Sequence, residues 1–419
     1  MSNFINTVSN EIKKCVPSIE AVYRDLHQHP ELSRQEKRTS GVIADHLRQL
    51  GFDVTEHVGG YGVVGLMKNG EGATVMLRAD MDALPMKEMS GVPYMSHVEV
   101  INSQEKVAPV AHTCGHDMHM SCLLGAATVM AQTRELWQGS LLLVFQPDEE
   151  TGDGSKGMIQ DGLIEKFPRP DVIFGQHVMP SRAGTVGWKK GQVLTAGDSW
   201  QVTFFGKGGH GGVPQQSIDP VVMAASAVVR LQSIVAREVS PQAHAVITIG
   251  EFHAGSAENI IPSQAYIRLN VRTTDEQVRD HVLAAIRRIC IAEAQASHAP
   301  REPLFEEINS YPLTVNDDAV SEKVARAFIQ HFGNNVFETP AQGASEDFSR
   351  YGRAWKTPYM YWFVGGSDQD TYDEAVAQGK QGQLPGPHSP FWAPAIQPTL
   401  RTGMETMLIA AGLWLDREQ

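Results

Sequence analysis

The sequence predicts an α/β protein in which a smaller α+β domain interrupts a larger domain, itself built from two chain segments around a mainly parallel sheet. Before Ser199, and again from about Val320, short and solidly apolar runs alternate with stretches of helical periodicity. This pattern is typical of a parallel sheet covered on both faces. Between those positions the pattern changes, beginning with a run in which apolar and polar residues alternate, and the predicted β-α-β-β-α order resembles a small split-βαβ sandwich.

The first segment begins with two helices. Apolar residues recur at three- and four-residue spacing from Ile12 to Leu26, a second periodic run goes from Ser40 to Leu50, and Gly51 ends it as a C-cap. The pattern then predicts a helix at 121–136 and strands at 62–67, 73–80, 140–146 and 171–176.

The inserted domain begins with the alternating run WQVTFFG, which is followed by the glycine cluster GKGGHGG at 206–212. Its other predicted elements are a helix from Pro220 to Arg237, the strands HAVITIGEF and AYIRLNVRT, and a helix from Asp275 to Ala296. The final segment predicts a buried strand at 360–366, a long loop at 367–388 and a closing helix at 399–415. Long loops inside compact domains are usually functional.

Composition excludes several classes of protein. The 419 residues carry a formal net charge of -13, which repels phosphate backbones, so we expect no nucleic-acid partner. The longest apolar stretch, Met407–Leu415, is too short to cross a bilayer, and the N-terminus lacks the apolar core of a signal peptide. Four cysteines are too few for a disulfide framework in this chain. We therefore expect a cytoplasmic protein without a membrane partner.

The densest polar motif is HTCGHDMH at 112–119, directly before the predicted apolar helix. A single buried histidine is more often a satisfied core residue than a ligand. Three histidines, a cysteine and an aspartate together are costly to bury unless a metal ion or a charged partner holds them. The motif therefore predicts a ligand site at the mouth of the parallel sheet.

Three further motifs are placed at strand ends or in a loop: QPDEE at 146–150, GQHV at 175–178 and PHSP at 387–390. Adjacent acids raise one another's pKa, so QPDEE is either solvated on a turn or has a chemical role. If the role is chemical, consecutive side chains point in opposite directions, so Glu150 can face a metal while Glu149 faces the substrate as a base. Together the motifs supply five candidate ligands: Cys114, His116, Glu150, His177 and His388.

Thiolate, imidazole and carboxylate ligands favour a divalent transition metal such as Zn, Mn, Co or Ni. Five protein ligands exceed one tetrahedral catalytic site, so two metal ions that share the cysteine and a water fit better. A rival hypothesis makes Cys114 a thiol nucleophile with His112, His116 or His119 as its base. That hypothesis leaves the acids of QPDEE and the histidine of GQHV without a role.

Nine motifs, in this order, resemble those of the M20 metallopeptidases: RADMDALP (78–85), HTCGHDMH, QPDEE, GQHV, GKGGHGGVPQ (206–215), ENIIP (258–262), NVRTTDE (270–276), SEDFS (345–349) and HSP (388–390). They are most similar to the amidohydrolase subfamily, which includes hippurate hydrolases, indole-acetyl-amino-acid hydrolases and N-acetyl-diaminopimelate deacetylases. The resemblance runs from about residue 20 to 410. It implies a metal-binding catalytic domain at 1–193 and 308–419 and an inserted lid domain at 194–307, through which two copies of the chain can pair.

Carried over position by position, the resemblance implies that the five candidate ligands hold two metal ions and that Glu149 is the general base. The family's lid histidine, which helps to hold the developing oxyanion, is His210 here. The residues that hold the substrate's amino-acid portion correspond to Asn259 and Arg272. The sequence departs from the family at 96–111, in the loop before His388 and at Gln176, where a leucine is usual. These departures leave substrate choice open.

The sequence thus predicts a hydrolase that cleaves the amide bond of a small N-acyl or N-aminoacyl amino acid or a dipeptide-like substrate. A metal-bridged water is the nucleophile and Glu149 its proton acceptor. An alternative from another class is a metal- or peptide-binding relative that has lost catalysis. Such a binder has no need of Glu149.

Overall fold

The computed structural model describes residues 4–101 and 106–417. In chain order the helices are α1 (Phe4–Gln28), α2 (Lys37–Gln49), α3 (His116–Gln132), α4 (Gly154–Gln160), α5 (Leu163–Lys166), α6 (Pro220–Arg237), α7 (Glu276–Ala296), α8 (Asp318–Phe332), α9 (Ser349–Trp355), α10 (Gln369–Ala377) and α11 (Ile396–Leu415). The strands are β1 (Asp53–Val58), β2 (Gly62–Asn69), β3 (Thr74–Asp80), β4 (Glu99–Ile101), β5 (Val107–Pro109), β6 (Gly139–Gln146), β7 (Val172–Arg182), β8 (Val186–Trp188), β9 (Gly191–Leu194), β10 (Ala196–Phe205), β11 (Gly209–His210), β12 (Ala245–Ala254), β13 (Ile260–Ile261), β14 (Gln264–Thr273), β15 (Leu304–Tyr311), β16 (Thr314–Asn316), β17 (Val336–Glu338) and β18 (Tyr359–Ser367).

The chain divides into two units. The first comprises Met1–Val193, Val315–Pro340 and Asp347–Gln419, and the second comprises Leu194–Thr314 and Ala341–Glu346. The boundary predicted at residue 307 falls inside β15, which pairs with β10 as an edge strand of the second unit's sheet. A strand is held by its ladder hydrogen bonds along its whole length, so this unit continues past residue 307.

The first unit contains an eight-stranded sheet with the order β1-β2-β6-β3-β7-β18-β8-β17. Its centre, β6-β3-β7-β18, is parallel, while β1, β2 and β8 join it in antiparallel pairs. Every residue of β18 is buried, as expected for a strand covered on both faces. The mixed α/β fold with a large, mainly parallel sheet is therefore confirmed. Helices α1, α3 and α11 supply much of the surrounding core, with Ile19, Leu124 and Leu408 fully buried.

The second unit contains a four-stranded antiparallel sheet, β12-β14-β10-β15, with α6 and α7 packed into its core. Helix α6 begins and ends at the predicted residues, and Asp219 caps it by accepting from the Val221 N–H. Among the described residues α6 is the one helix long and apolar enough to cross a membrane. Its buried residues, which include Met223 and Leu231, belong to this unit's core.

Two elements differ from the sequence prediction. The segment 367–388 is not wholly loop, because it contains α10, which Asp368 caps by accepting from the Thr371 N–H. Helix α3 begins at His116 rather than at residue 121, because the polar side chains of its first turn have partners elsewhere in the unit. The segment 96–111 carries the strand pair β4 and β5, and its residues 102–105 lie outside the described residues.

Candidate metal centre

The five candidate ligands lie together in the first unit. Cys114 directly precedes α3 and His116 begins it, Glu150 follows β6, His177 lies within β7, and His388 lies in the loop before α11. Strands β6, β3 and β7 run parallel, so their carboxyl ends meet at one edge of the sheet. That edge is where ligands converge in α/β proteins.

The donor atoms are spaced as ligands around a cation would be. The Cys114 Sγ atom lies 3.4 Å from His177 Nε2. Glu150 Oε1 lies 3.8 Å from His116 Nε2, and Glu150 Oε2 lies 3.3 Å from His388 Nε2. The sets Cys114–His116–His177 and Cys114–Glu150–His388 each offer donor atoms within 4.8 Å of one another. Cys114 belongs to both sets, which suits two metal ions that share one ligand.

The orientation of two imidazole rings supports metal binding independently. The Nδ1 atom of His116 lies 2.9 Å from the Asp82 carbonyl oxygen, and that of His177 lies 2.7 Å from the Val178 carbonyl oxygen. Each Nδ1–H donates to its carbonyl, so Nε2 is the ring nitrogen that is left to bind a metal. His116 Nε2 is buried and has no hydrogen-bond partner among the described residues. Histidine ligands are typically fixed in this way, so the residues fit a thiolate–imidazole–carboxylate metal centre.

The cluster also carries an excess of negative charge. Burial, reinforced by the charges of Glu150, Glu149 and Asp80, raises the pKa of the Cys114 thiol well above its ordinary value. Burial lowers the pKa of His116, but Asp80 and Asp82 outweigh burial and raise that pKa to about 10. A bound cation reverses both effects, because it stabilises a thiolate and a neutral imidazole. A catalytic thiol needs a lowered pKa, so these surroundings disfavour the cysteine-nucleophile hypothesis.

Both Asp148 and Glu149 are buried, so these acids are not solvated on a surface turn. The turn is held by Glu36, whose Oε1 atom accepts from the N–H groups of Asp148, at 2.9 Å, and Arg34, at 3.0 Å. Arg34 in turn donates from Nε to Asp148 Oδ2 at 2.7 Å. Asp148 has a φ of 58°, a conformation that non-glycine residues rarely adopt. The hydrogen bonds with Glu36 and Arg34 hold the turn in this conformation. Glu149 Oε2 lies 3.9 Å from His116 Nε2.

A second layer of residues lies behind the ligands, and the sequence prediction did not assign these residues a role in supporting the ligands. His119 Nδ1 donates to Asp80, and Arg78, which is almost fully buried, donates from Nη1 to Asp80 Oδ2 at 2.6 Å. Asp82 Oδ2 accepts from the Glu150 N–H at 3.0 Å. The available signal was the RADMD run, in which two charged residues end a buried strand and a third follows it.

Gln176, beside His177 in β7, is buried, and both the oxygen and the nitrogen of its side-chain amide are hydrogen-bonded. Its Oε1 atom accepts from Trp362 Nε1 at 3.0 Å and from the Thr406 hydroxyl at 2.7 Å. Its Nε2 atom donates to the Gly403 carbonyl oxygen at 3.3 Å. This chain has glutamine where leucine is usual in the family, and polar groups on β18 and α11 satisfy the glutamine amide.

The other three candidate residues lie in the second unit. His210, on β11, is exposed, and its Nδ1 atom accepts from the Gly212 N–H at 2.9 Å. The Gly211 N–H donates to the Asn259 carbonyl oxygen at 2.8 Å, so His210 and Asn259 are neighbours. Arg272 lies near the end of β14 and donates to Asn270 Oδ1 and Ser345 Oγ. Asn259 precedes β14 and Arg272 nearly ends it, so about 25 Å of strand separates them.

Comparison with known proteins identifies the family. The family model described as peptidase family M20/M25/M40 matches residues 76–378. This chain belongs to peptidase family M20. Among its M20 relatives is a hippurate hydrolase of Campylobacter jejuni, 38% identical over 84% of this chain and 89% of the relative.

Two further matches add detail. A thermostable carboxypeptidase 2 of Saccharolobus solfataricus is 37% identical over 87% of this chain and 89% of the relative. Among solved structures, the YXEP protein of Bacillus subtilis, described as a dinuclear metal binding peptidase from the M20 family, superposes with a TM-score of 0.74. It is 26% identical and covers 96% of this chain and 98% of its own.

Proposed function

We propose that this chain hydrolyses the amide bond of N-acyl or N-aminoacyl amino acids and uses two divalent metal ions, from among Zn, Mn, Co and Ni. The observation that carries the proposal is the buried, unpartnered Nε2 atom of His116 among a thiol and carboxylates, with Glu149 3.9 Å away. M20 membership supports the coarser conclusion that the chain is a metal-dependent hydrolase acting on amides. The name of the hippurate hydrolase relative supports N-acyl amino acids as the substrate class.

When bound, the two cations would lower the pKa of a water molecule and polarise the amide carbonyl. Glu149 is assigned as the general base because it is held on a constrained turn beside the ligand cluster. The same carboxyl group can pass the proton to the leaving amine, so one residue serves both halves of the reaction. Cys114, His116, Glu150, His177 and His388 are assigned as the metal ligands.

In this proposal His210 donates to the developing oxyanion, and Asn259 and Arg272 hold the amino-acid portion of the substrate. One small substrate cannot contact both Asn259 and Arg272 of a single copy, because most of β14 lies between them. We therefore favour a homodimer formed through the second unit, in which His210 and Asn259 act on the substrate of the other copy.

A single experiment separates this function from its rivals. The purified chain is loaded with each metal in turn and assayed on a panel of N-acyl amino acids, with and without a chelator. The proposal predicts about two equivalents of metal and turnover that the chelator abolishes and added metal restores. A thiol hydrolase would keep its activity in chelator, and a non-catalytic binder would take up metal but turn over none of the panel.

A further inference from the structure

Two exposed apolar residues lie on adjoining backbone segments of the first unit. Met89 is 53% exposed and Phe391 is 54% exposed. Their backbone segments are joined by a hydrogen bond from the Met89 N–H to the Pro390 carbonyl oxygen, at 2.6 Å. Scattered apolar residues on a surface need no explanation, but two on adjoining segments form a patch that calls for one.

The segment that carries Met89 is held in place by the side-chain contacts of the preceding residue, Glu88. Glu88 is buried, and its carboxylate accepts from the Ser96 N–H at 2.7 Å and pairs with His27 Nε2 at 2.9 Å. The other ring nitrogen of His27 lies 2.6 Å from Asp117, which follows the candidate ligand His116. Met89 is therefore presented to solvent by a backbone tied to α3.

Phe391 is fixed in a comparable way. It lies in a turn closed by a hydrogen bond from the Trp392 N–H to the Ser389 carbonyl oxygen, at 3.0 Å, and the Trp392 side chain is buried. The turn begins at His388, whose N–H donates to the Thr113 carbonyl oxygen at 2.8 Å. Phe391 thus lies three positions after the candidate ligand His388, and Met89 lies on the segment that is hydrogen-bonded to the same turn.

We propose that Met89 and Phe391 form the subsite for the acyl group of the substrate and select large apolar acyl groups, aromatic or medium-chain aliphatic, over acetyl. The inference rests on the proposed function, because it concerns the acyl half of the same substrate. Two preorganised apolar side chains bind an apolar group without the entropy cost of ordering a loop. A straight acyl chain gains by burial of each methylene, whereas an acetyl group is too short to gain from a flanking subsite.

The test compares the metal-loaded protein with its Met89→Ser and Phe391→Ser variants on N-acyl glycines from acetyl to octanoyl. In the unsubstituted protein kcat/KM should rise about two- to fourfold per added methylene. Each substitution should lower the octanoyl-to-acetyl ratio of kcat/KM by about tenfold. Ile329→Ser, at an apolar residue of α8 that is 49% exposed, is the matched control and should leave the ratio unchanged. The inference is overturned if the octanoyl-to-acetyl ratio is unchanged in both variants. It is also overturned if the substitutions alter kcat/KM only between substrates that differ in the amino acid and share one acyl group.

A binding measurement keeps this result separate from the proposed function. Octanoate binding to the metal-loaded Glu149→Gln protein is measured by calorimetry, with and without the two substitutions. Binding weakened by Met89→Ser and Phe391→Ser supports the subsite even if no N-acyl amino acid is hydrolysed, in which case the proposed function alone fails. Octanoate binding that neither substitution weakens overturns the subsite.

Discussion

The Oδ1 atom of Asp80 lies 2.6 Å from Nδ1 of His119, and the opposite ring nitrogen of His119 accepts from the Val178 N–H at 2.9 Å. Burial lowers the pKa of His119, so its ring is neutral, with the proton on Nδ1. Both nitrogens are therefore occupied, and His119 has no lone pair left for a metal. It holds β7 at the residue that follows the candidate ligand His177.

We expect His119→Ala to weaken metal affinity by about 10- to 100-fold while the protein still binds two equivalents, since loss of an orienting partner loosens a ligand without removing it. Competition with a chelator of known affinity measures this. Loss of a whole equivalent would identify His119 as a ligand instead, and unchanged affinity would show that it does not orient the site.

Glu149→Gln should lower kcat by about 10²- to 10⁴-fold and leave metal content unchanged, because the amide keeps the size of the side chain but cannot accept the proton. Turnover and metal analysis on the same preparation check this. Glu165→Gln, at an exposed acid of the same unit, is the control. Near-normal turnover in Glu149→Gln would mean that another group is the base.

Cys114→Ser should lower metal occupancy and remove most of the activity, because a hydroxyl is a far poorer ligand than a thiolate for these metals. Cys122→Ser provides a matched control, since Cys122 is also buried but donates to the Leu400 carbonyl oxygen on α11. If Cys114→Ser keeps full metal and full rate, the thiol has only a packing role.

His210→Ala should leave metal content and thermal stability unchanged and lower kcat by about 10²- to 10³-fold, which is the effect of losing one oxyanion donor. The effect should fall on kcat more than on KM, because the contact forms in the transition state. His253→Ala removes another exposed histidine of the same unit and serves as the control. An unchanged kcat would confine the chemistry to the first unit.

His27→Gln should destabilise the fold in a pH-dependent way. Burial lowers the pKa of His27, but Asp117 and Glu88 outweigh it and raise that pKa to about 9, above the ordinary 6.5. The stabilisation is thus fully present below about pH 6.5 and is lost as the pH rises through about 9. We expect a loss of about 3 kcal/mol at pH 6.5 and a much smaller loss at pH 10, measured by denaturant unfolding. Equal losses at both pH values would mean that the imidazole stabilises the fold without being charged.

Much of the fold could be predicted because its signals are local. The bounds of α6 follow from the capping Asp219 and from apolar periodicity, and β18 follows from an unbroken apolar run. Helix α10 was missed because none of its residues is buried, so no apolar face marks it and the cap at Asp368 was the remaining signal.

The candidate ligands could be selected because their donor types are unusual at the ends of apolar strands. Their supports could not be selected in the same way. Glu36 is separated by 112 positions from the Asp148 N–H that it accepts from, and His27 by 90 positions from Asp117. Such pairings depend on how the chain folds back on itself, and no periodicity or spacing encodes them.

The hydrogen bonds of Gln176 limit how this protein can be re-engineered. A single exchange to leucine would leave the buried indole N–H of Trp362 without its acceptor, at a cost of about 1–3 kcal/mol, whereas the Thr406 hydroxyl could still donate to the Gly403 carbonyl oxygen, 2.9 Å away. Grafting a leucine-type interior from another M20 hydrolase therefore requires coordinated replacement on β7 and β18. A mutant library that varies one position at a time would discard the productive pair, because the step at Gln176 alone leaves the indole of Trp362 without an acceptor.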